Sequence, residues 1–137
     1  MSDLKPELSV TSEYWIPKDR YYELKHYCLQ YPDWKKLYFK LDGDIKVHPI
    51  ANYIRSTPAD PTGKIACIRA DLKRAIDLVD NTARDSSAEL GDYILKAVTE
   101  GIPFVQLQMI SDIPCGKDMY YASYRKFFYL LSQRKGI

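Results

Sequence analysis

The segment from Asp60 to Ala83 constrains the fold more than any other part of this chain. Asp60 is a good N-cap, and Pro61 suits the position after it, where its missing N–H is not needed. Ile65, Ile68, Leu72, Ala75, Ile76 and Val79 then recur at steps of 3, 4, 3, 1 and 3 residues, with Arg69, Lys73, Arg74, Asp77 and Asp80 elsewhere on the circumference. That spacing predicts one amphipathic helix over 61–83. A stripe of such length needs a partner, either another helix of the chain or a second subunit. Packing within the chain is the expectation, with homo-oligomerisation left open. The 137 residues suit one domain or a small domain with an appended arm.

Other segments carry the same period. Residues 1–14 show no periodicity and read as a mobile arm; they have no apolar core of the secretory type. Pro17 is expected to open a helix over 18–31, striped by Tyr21, Leu24, Cys28 and Tyr31. Pro32 interrupts it, and Trp34, Leu37, Tyr38 and Leu41 mark a second helix over 33–41. Residues 43–59 mix apolar positions with Gly, Asp, Asn and two prolines, and read as a long, partly extended connection in which alternation allows a short strand at 45–48. Ser86-Ser87-Ala88-Glu89 has the capping-box form, with Ser86 as cap. Leu90, Ile94, Ala97 and Val98 stripe the helix that follows over 87–100, and Gly101 is placed to close it in a left-handed conformation. A short helix over 103–110, a turn at 111–114 and a last helix over 115–133 complete the chain. The fold class expected is all-α: a helical bundle with a long amphipathic helix and a C-terminal helix-turn-helix. Its regions are an arm (1–14), an N-terminal aromatic helical segment (15–42), a connection (43–59) and a helical region (60–137). Ile68, Leu72, Ile76, Ile94, Val98, Phe127 and Leu131 are expected to be buried together.

Composition excludes several functions. Apolar residues make up 46% and charged residues 28%, which is globular. No apolar run approaches the roughly 20 residues that cross a bilayer, so no membrane partner is expected. Cys28, Cys67 and Cys115 are far apart and lack zinc-ligand spacing; no metal and no cofactor is expected, and a reducing cytosol fits. There is no Gly-rich phosphate loop, His26 and His48 are the only histidines, and Asp42-x-Asp44 sits in a Gly-containing turn where Asp is ordinary. An enzyme is not expected, and no catalytic residue is assigned.

The C-terminal elements have the proportions of a helix-turn-helix, whose final helix enters the major groove with its N-terminal turns. At 100° per residue, Tyr120, Tyr124, Phe127, Phe128 and Leu131 form its packing face. Asp118, Tyr121, Ala122, Arg125 and Lys126 fall outside that arc, and Lys117 lies in the first turn, where a long side chain reaches solvent. Residues 112–137 contain five Lys/Arg and two Asp, the charge that phosphate binding requires. Lys117, Asp118, Tyr121, Arg125 and Lys126, with Arg134 and Lys135 at the end, are therefore the candidate contacts to duplex DNA.

Three stretches, Tyr14 to Pro32, Tyr93 to Gly101 and Ile113 to Tyr121, resemble small phage and prophage proteins of clostridial-type bacteria. In layout the C-terminal half is similar to phage late-gene transcriptional regulators of the ArpU/RinA type, whose helix-turn-helix resembles sigma-factor region 4. Tyr120-Tyr121 followed by Tyr124-Arg125-Lys126-Phe127-Phe128 fits their recognition helix; Gly116 departs from it, at a position where a DNA-contacting side chain is expected. The resemblance implies a transcriptional regulator in the cytoplasm of a bacterial host, with RNA polymerase as one protein partner. The alternative is a phage-encoded inhibitor of a host defence protein such as a CRISPR nuclease. Its surface would be the N-terminal aromatics Tyr14, Trp15, Tyr22, Tyr27 and Trp34, residue types that dominate binding hot spots.

Overall fold

Pro17 sets where the first helix begins. Its backbone is extended (φ −60°, ψ 148°) and its carbonyl accepts the Tyr21 N–H at 3.0 Å. It is thus the N-cap, one residue ahead of the helix and not its first residue. The structure, a computed structural model, describes residues 13–46 and 61–136. Among these residues it is all-α, with six helices: α1 (Lys18–Leu29), α2 (Tyr31–Lys46), α3 (Pro61–Ser86), α4 (Gly91–Glu100), α5 (Phe104–Ile110) and α6 (Lys117–Lys135). No described helix is long and apolar enough to cross a membrane.

The helix boundaries follow local chemistry. Only Gln30 separates α1 from α2, because Pro32 falls in the first turn of α2, where a missing N–H costs nothing. α2 continues through Gly43 to Lys46, so the connection starts later than expected, and Ile45 and Lys46 are helical where a strand was an option. Residues 47–59 lie outside the described residues, as does the expected arm except for Glu13 and Tyr14, which form a turn. The expected capping box is not formed: α4 starts at Gly91 with Leu90 as its N-cap and no side-chain cap, four residues later than the spacing predicted. Ser86 ends α3, donating its hydroxyl to the Ala83 carbonyl at 2.7 Å, and Ser87 Oγ accepts the Leu90 N–H at 3.0 Å. Gly101 closes α4 at φ 69°, and the Ile102 N–H returns to the Ala97 carbonyl at 3.1 Å. The loop from Ser111 to Gly116 is longer than the expected turn, and α6 starts two residues late, with Gly116 as its extended N-cap.

Packing divides the chain into two units: Met1–Gln30 with Leu78–Ile137, and Tyr31–Asp77. In the first, α1 packs on α4 and α6, and α4 also packs on α5 and α6. Its core is Tyr21, Leu24 and Cys28 from α1, Val79 and Ala83 from α3, Leu90 before α4, Ile94, Ala97 and Val98 from α4, Phe104 and Leu107 from α5, and Tyr120, Phe127, Phe128 and Leu131 from α6. Each fully buried Leu, Ile or Phe contributes about 1.5–3 kcal/mol. Tyr21 bridges α1 to α6: its ring meets Phe128 edge-on at 5.0 Å, and its hydroxyl is 3.2 Å from that of Tyr124. At the α3–α4 junction the backbones touch. A Cβ on Gly91 would lie 2.9 Å from the Ala83 carbonyl oxygen and 3.1 Å from Arg84 Cα.

The second unit contains α2 and the first part of α3. Tyr31, Leu41, Ile65 and Ile76 are buried. The Arg69 guanidinium stacks 4.3 Å from the Tyr38 ring centroid, and Lys73 pairs with Asp77 one turn on at 2.9 Å. The expected single core is corrected accordingly. Ile94, Val98, Phe127 and Leu131 are buried in the first unit, whereas Ile76 belongs to the second, Leu72 is half-buried and Ile68 is 46% exposed. The stripe of α3 is continuous in sequence, but the unit boundary cuts it between Asp77 and Leu78. The boundaries 15–42 and 60–137 read from sequence therefore differ from the packing units, because the Tyr21/Leu24/Cys28 stripe of α1 finds its partners in α4 and α6.

Candidate nucleic-acid interface

α6 has two sides of opposite character, set by its sequence. Tyr120, Phe127, Phe128 and Leu131 are buried, and Tyr124 is half-buried between the Tyr120 ring at 5.9 Å and the Phe128 ring at 5.1 Å. This is the packing face the spacing predicted, widened by the buried Ser132. Opposite it, Asp118, Ala122 and Lys126 follow one another at four-residue steps and are exposed or half-exposed. Arg125, beside this row, is half-buried, as is Lys126 at its end. Lys117 is exposed in the first turn, and Met119 is 53% exposed beside it. No described residue forms an ion pair with Lys117, Arg125 or Lys126.

The remaining candidate contacts each meet a partner within the chain. Tyr121 is half-buried and sits against the rings of Tyr120 (5.1 Å), Tyr124 (5.8 Å) and Phe104 (5.9 Å), so it is turned less to solvent than expected. Arg134 donates to Thr82 Oγ1 at 3.0 Å and to Asp85 Oδ2 at 2.6 Å, tying the end of α6 to the end of α3. The Lys135 ammonium lies 3.9 Å from the centroid of the Tyr27 ring. Arg134 and Lys135 are exposed but each has an internal partner, a carboxylate and an aromatic face respectively.

Tyr14 confines the open part of α6 further. Its ring packs on Tyr129 at 5.4 Å, and Gln133 donates to the Tyr129 hydroxyl at 2.9 Å. Tyr14 therefore lies on the outward side of the C-terminal half of α6, and the open surface is the stretch from Lys117 to Lys126. Sequence periodicity gave no signal for this contact. The loop before α6 is held by the Tyr93 hydroxyl, which donates to the Asp112 carbonyl at 3.1 Å.

The aromatic protein-binding candidates are half-buried; Tyr14, Tyr22 and Trp34 pack on other rings and Tyr27 on a cation. Tyr22 packs on Tyr21 at 5.1 Å, Tyr27 lies beneath Lys135, and Trp34 meets Tyr31 at 6.5 Å. Trp15 is half-buried. Among the described residues no group of three His, Cys, Asp or Glu is placed to hold a metal ion. Cys28, Cys67 and Cys115 are unbridged. Burial pushes the Cys28 thiol up to about 12, with Lys135 opposing the shift, so it is not an activated thiolate.

Comparison with protein-family models, with curated proteins and with solved structures gives no match.

Proposed function

We propose that this chain is a DNA-binding protein of phage or prophage type that acts on transcription, with α4, α5 and α6 as its helix-turn-helix. One observation carries the reading: α6 keeps its apolar side in the core and has Lys117 exposed and Arg125 and Lys126 half-exposed along its N-terminal half, the part that a recognition helix presents to DNA. The loop from Ser111 to Gly116 is longer than the tight turn of the shortest such motifs, so the helix pair is an extended version of the motif. Lys126 and Arg125 take phosphates on this reading, and Lys117 meets backbone or base edges at the helix start. Asp118, between them, discourages phosphate approach at its own position and favours the helix dipole.

A gel-shift titration with random-sequence duplex at about 50 mM salt tests this, with binding expected in or tighter than the non-specific range of roughly 10⁻⁴–10⁻⁶ M. The triple change Lys117→Ala, Arg125→Ala, Lys126→Ala should weaken binding and flatten the log–log salt dependence by about 0.9 per lost contact. Absence of duplex binding refutes the reading and leaves the inhibitor of a host defence protein.

A further inference from the structure

The sequence places an excess of positive charge at the last helix, but the packing units distribute charge differently. Tyr31–Asp77 holds nine of the twenty Lys/Arg and six of the eighteen Asp/Glu, a net charge of +3. The other unit, which contains α6, has eleven Lys/Arg and twelve Asp/Glu, a net charge of −1. The cationic part of this protein is therefore the unit built from α2 and the start of α3.

Within it, the outward face of α2 has an unusual make-up. Tyr31 and Leu41 are buried and Trp34 and Tyr38 half-buried, which fixes the inner side of the helix. Lys36 and Lys40 are exposed on the other side and Lys35 is exposed at its edge, one turn from Tyr31, with Asp33 as the one acid in the first turn. Phe39 lies among these lysines and is 63% exposed. Lys35 and Lys36 precede Phe39 by four and three residues, which makes both its neighbours on the helix surface. The Lys35 ammonium is 5.4 Å from the Tyr31 ring centroid, and the Phe39 ring meets the Tyr38 ring edge-on at 5.5 Å. Phe39 is thus braced on one side and open on the other.

We infer that the outward face of α2 is a binding surface for single-stranded nucleic acid, with Phe39 stacking on an unpaired base and Lys35, Lys36 and Lys40 holding the flanking phosphates. Charge complementarity selects a polyanion. The exposed ring selects a strand whose base faces are free, since bases inside a duplex are already stacked and offer a ring no face to stack on. This surface belongs to a different packing unit from α6, and the inference does not depend on the duplex-binding reading.

The test is fluorescence anisotropy of the full-length protein with a labelled 20-nucleotide oligothymidine at about 50 mM salt. Phe39→Ala should weaken binding by about 5- to 140-fold, the range for loss of one stacked base. Phe39→Leu, which keeps an apolar side chain without the ring, should lose most of the same affinity. Lys36→Ala with Lys40→Ala should reduce the salt slope by about 0.7 per lost contact on a single strand. The triple α6 variant should leave oligothymidine binding unchanged, so that failure of one surface is distinguishable from failure of the other. The inference is overturned if the wild-type protein does not bind the oligonucleotide, if Phe39→Leu binds as the wild type does, or if the protein binds vesicles of anionic phospholipid and not the oligonucleotide.

Discussion

Tyr120→Phe should stabilise the protein. Tyr120 is 1% exposed and packs against the rings of Phe104 at 4.7 Å, Tyr121 at 5.1 Å and Tyr124 at 5.9 Å. Its hydroxyl is buried with no hydrogen-bond partner among the described residues. Leaving such a group unsatisfied costs about 1–3 kcal/mol. Phenylalanine removes the oxygen and keeps the ring. The loss is a few dispersion contacts of about 0.1–0.2 kcal/mol each. The net expectation is a gain of about 1 kcal/mol, read in urea unfolding as a higher midpoint at unchanged slope. The pH dependence gives a second reading of the same group. Burial, followed by Tyr121, Tyr21 and Cys115, holds the Tyr120 phenol above its usual value of 10.0. Above that pH the unfolded chain loses a proton that the folded chain keeps, so stability falls as pH rises, by up to about 1.4 kcal/mol per pH unit from this group. The variant should lose that share and retain the shares of Tyr27 and Cys28, which are also raised by burial. If Tyr120→Phe lowers stability by more than about 0.5 kcal/mol, the hydroxyl makes a favourable bond and the reasoning is refuted.

Three further outcomes are expected. Gly91→Ala drives a Cβ against the end of α3 at 2.9 Å and should cost about 1–3 kcal/mol in the same unfolding assay. Ile94→Ala, at a fully buried site, should cost about 2–5 kcal/mol, whereas Ile68→Ala, at a site 46% exposed, should cost less than about 1 kcal/mol. With a thiol reagent under native conditions Cys67 should react first and Cys115 more slowly, while buried Cys28 should react only on unfolding.

Much of the helical layout was legible because each helix carries its own stripe and punctuation. Pro17, Pro61, Gly101 and Gly136 all stand at helix ends, and the buried face of α6 follows directly from its spacing. What the sequence concealed lies between elements. The stripe from Ile65 to Val79 has no mark at Asp77, since a helix passes a packing boundary with no change in its own period. The capping-box pattern at Ser86 misled, because Ser86 bonds back into α3 and Ser87 serves the turn at 88–90, so α4 begins only at Gly91. Arg134 and Lys135 resemble any basic helix end until Asp85 and Tyr27 are placed beside them. Tyr14 gave no signal, as a single ring contact outside a helix has no periodicity to reveal it.

Tyr21 and Tyr124 touch although 103 residues separate them, and this has a consequence for synthesis. α1 leaves the ribosome before α4 and α6, yet its buried face rests on both. At about 5–20 residues per second, Tyr21 waits roughly 5–20 s before Tyr124 is made. During that interval Tyr21, Leu24 and Cys28 have no core to enter. A helix as short as α1 is marginal alone in water, so it samples coil until the last helix appears. Nascent chains released before Phe127 should consequently be cut readily by protease within α1, and chains that include α6 should resist, which makes synthesis of α6 the step that orders α1.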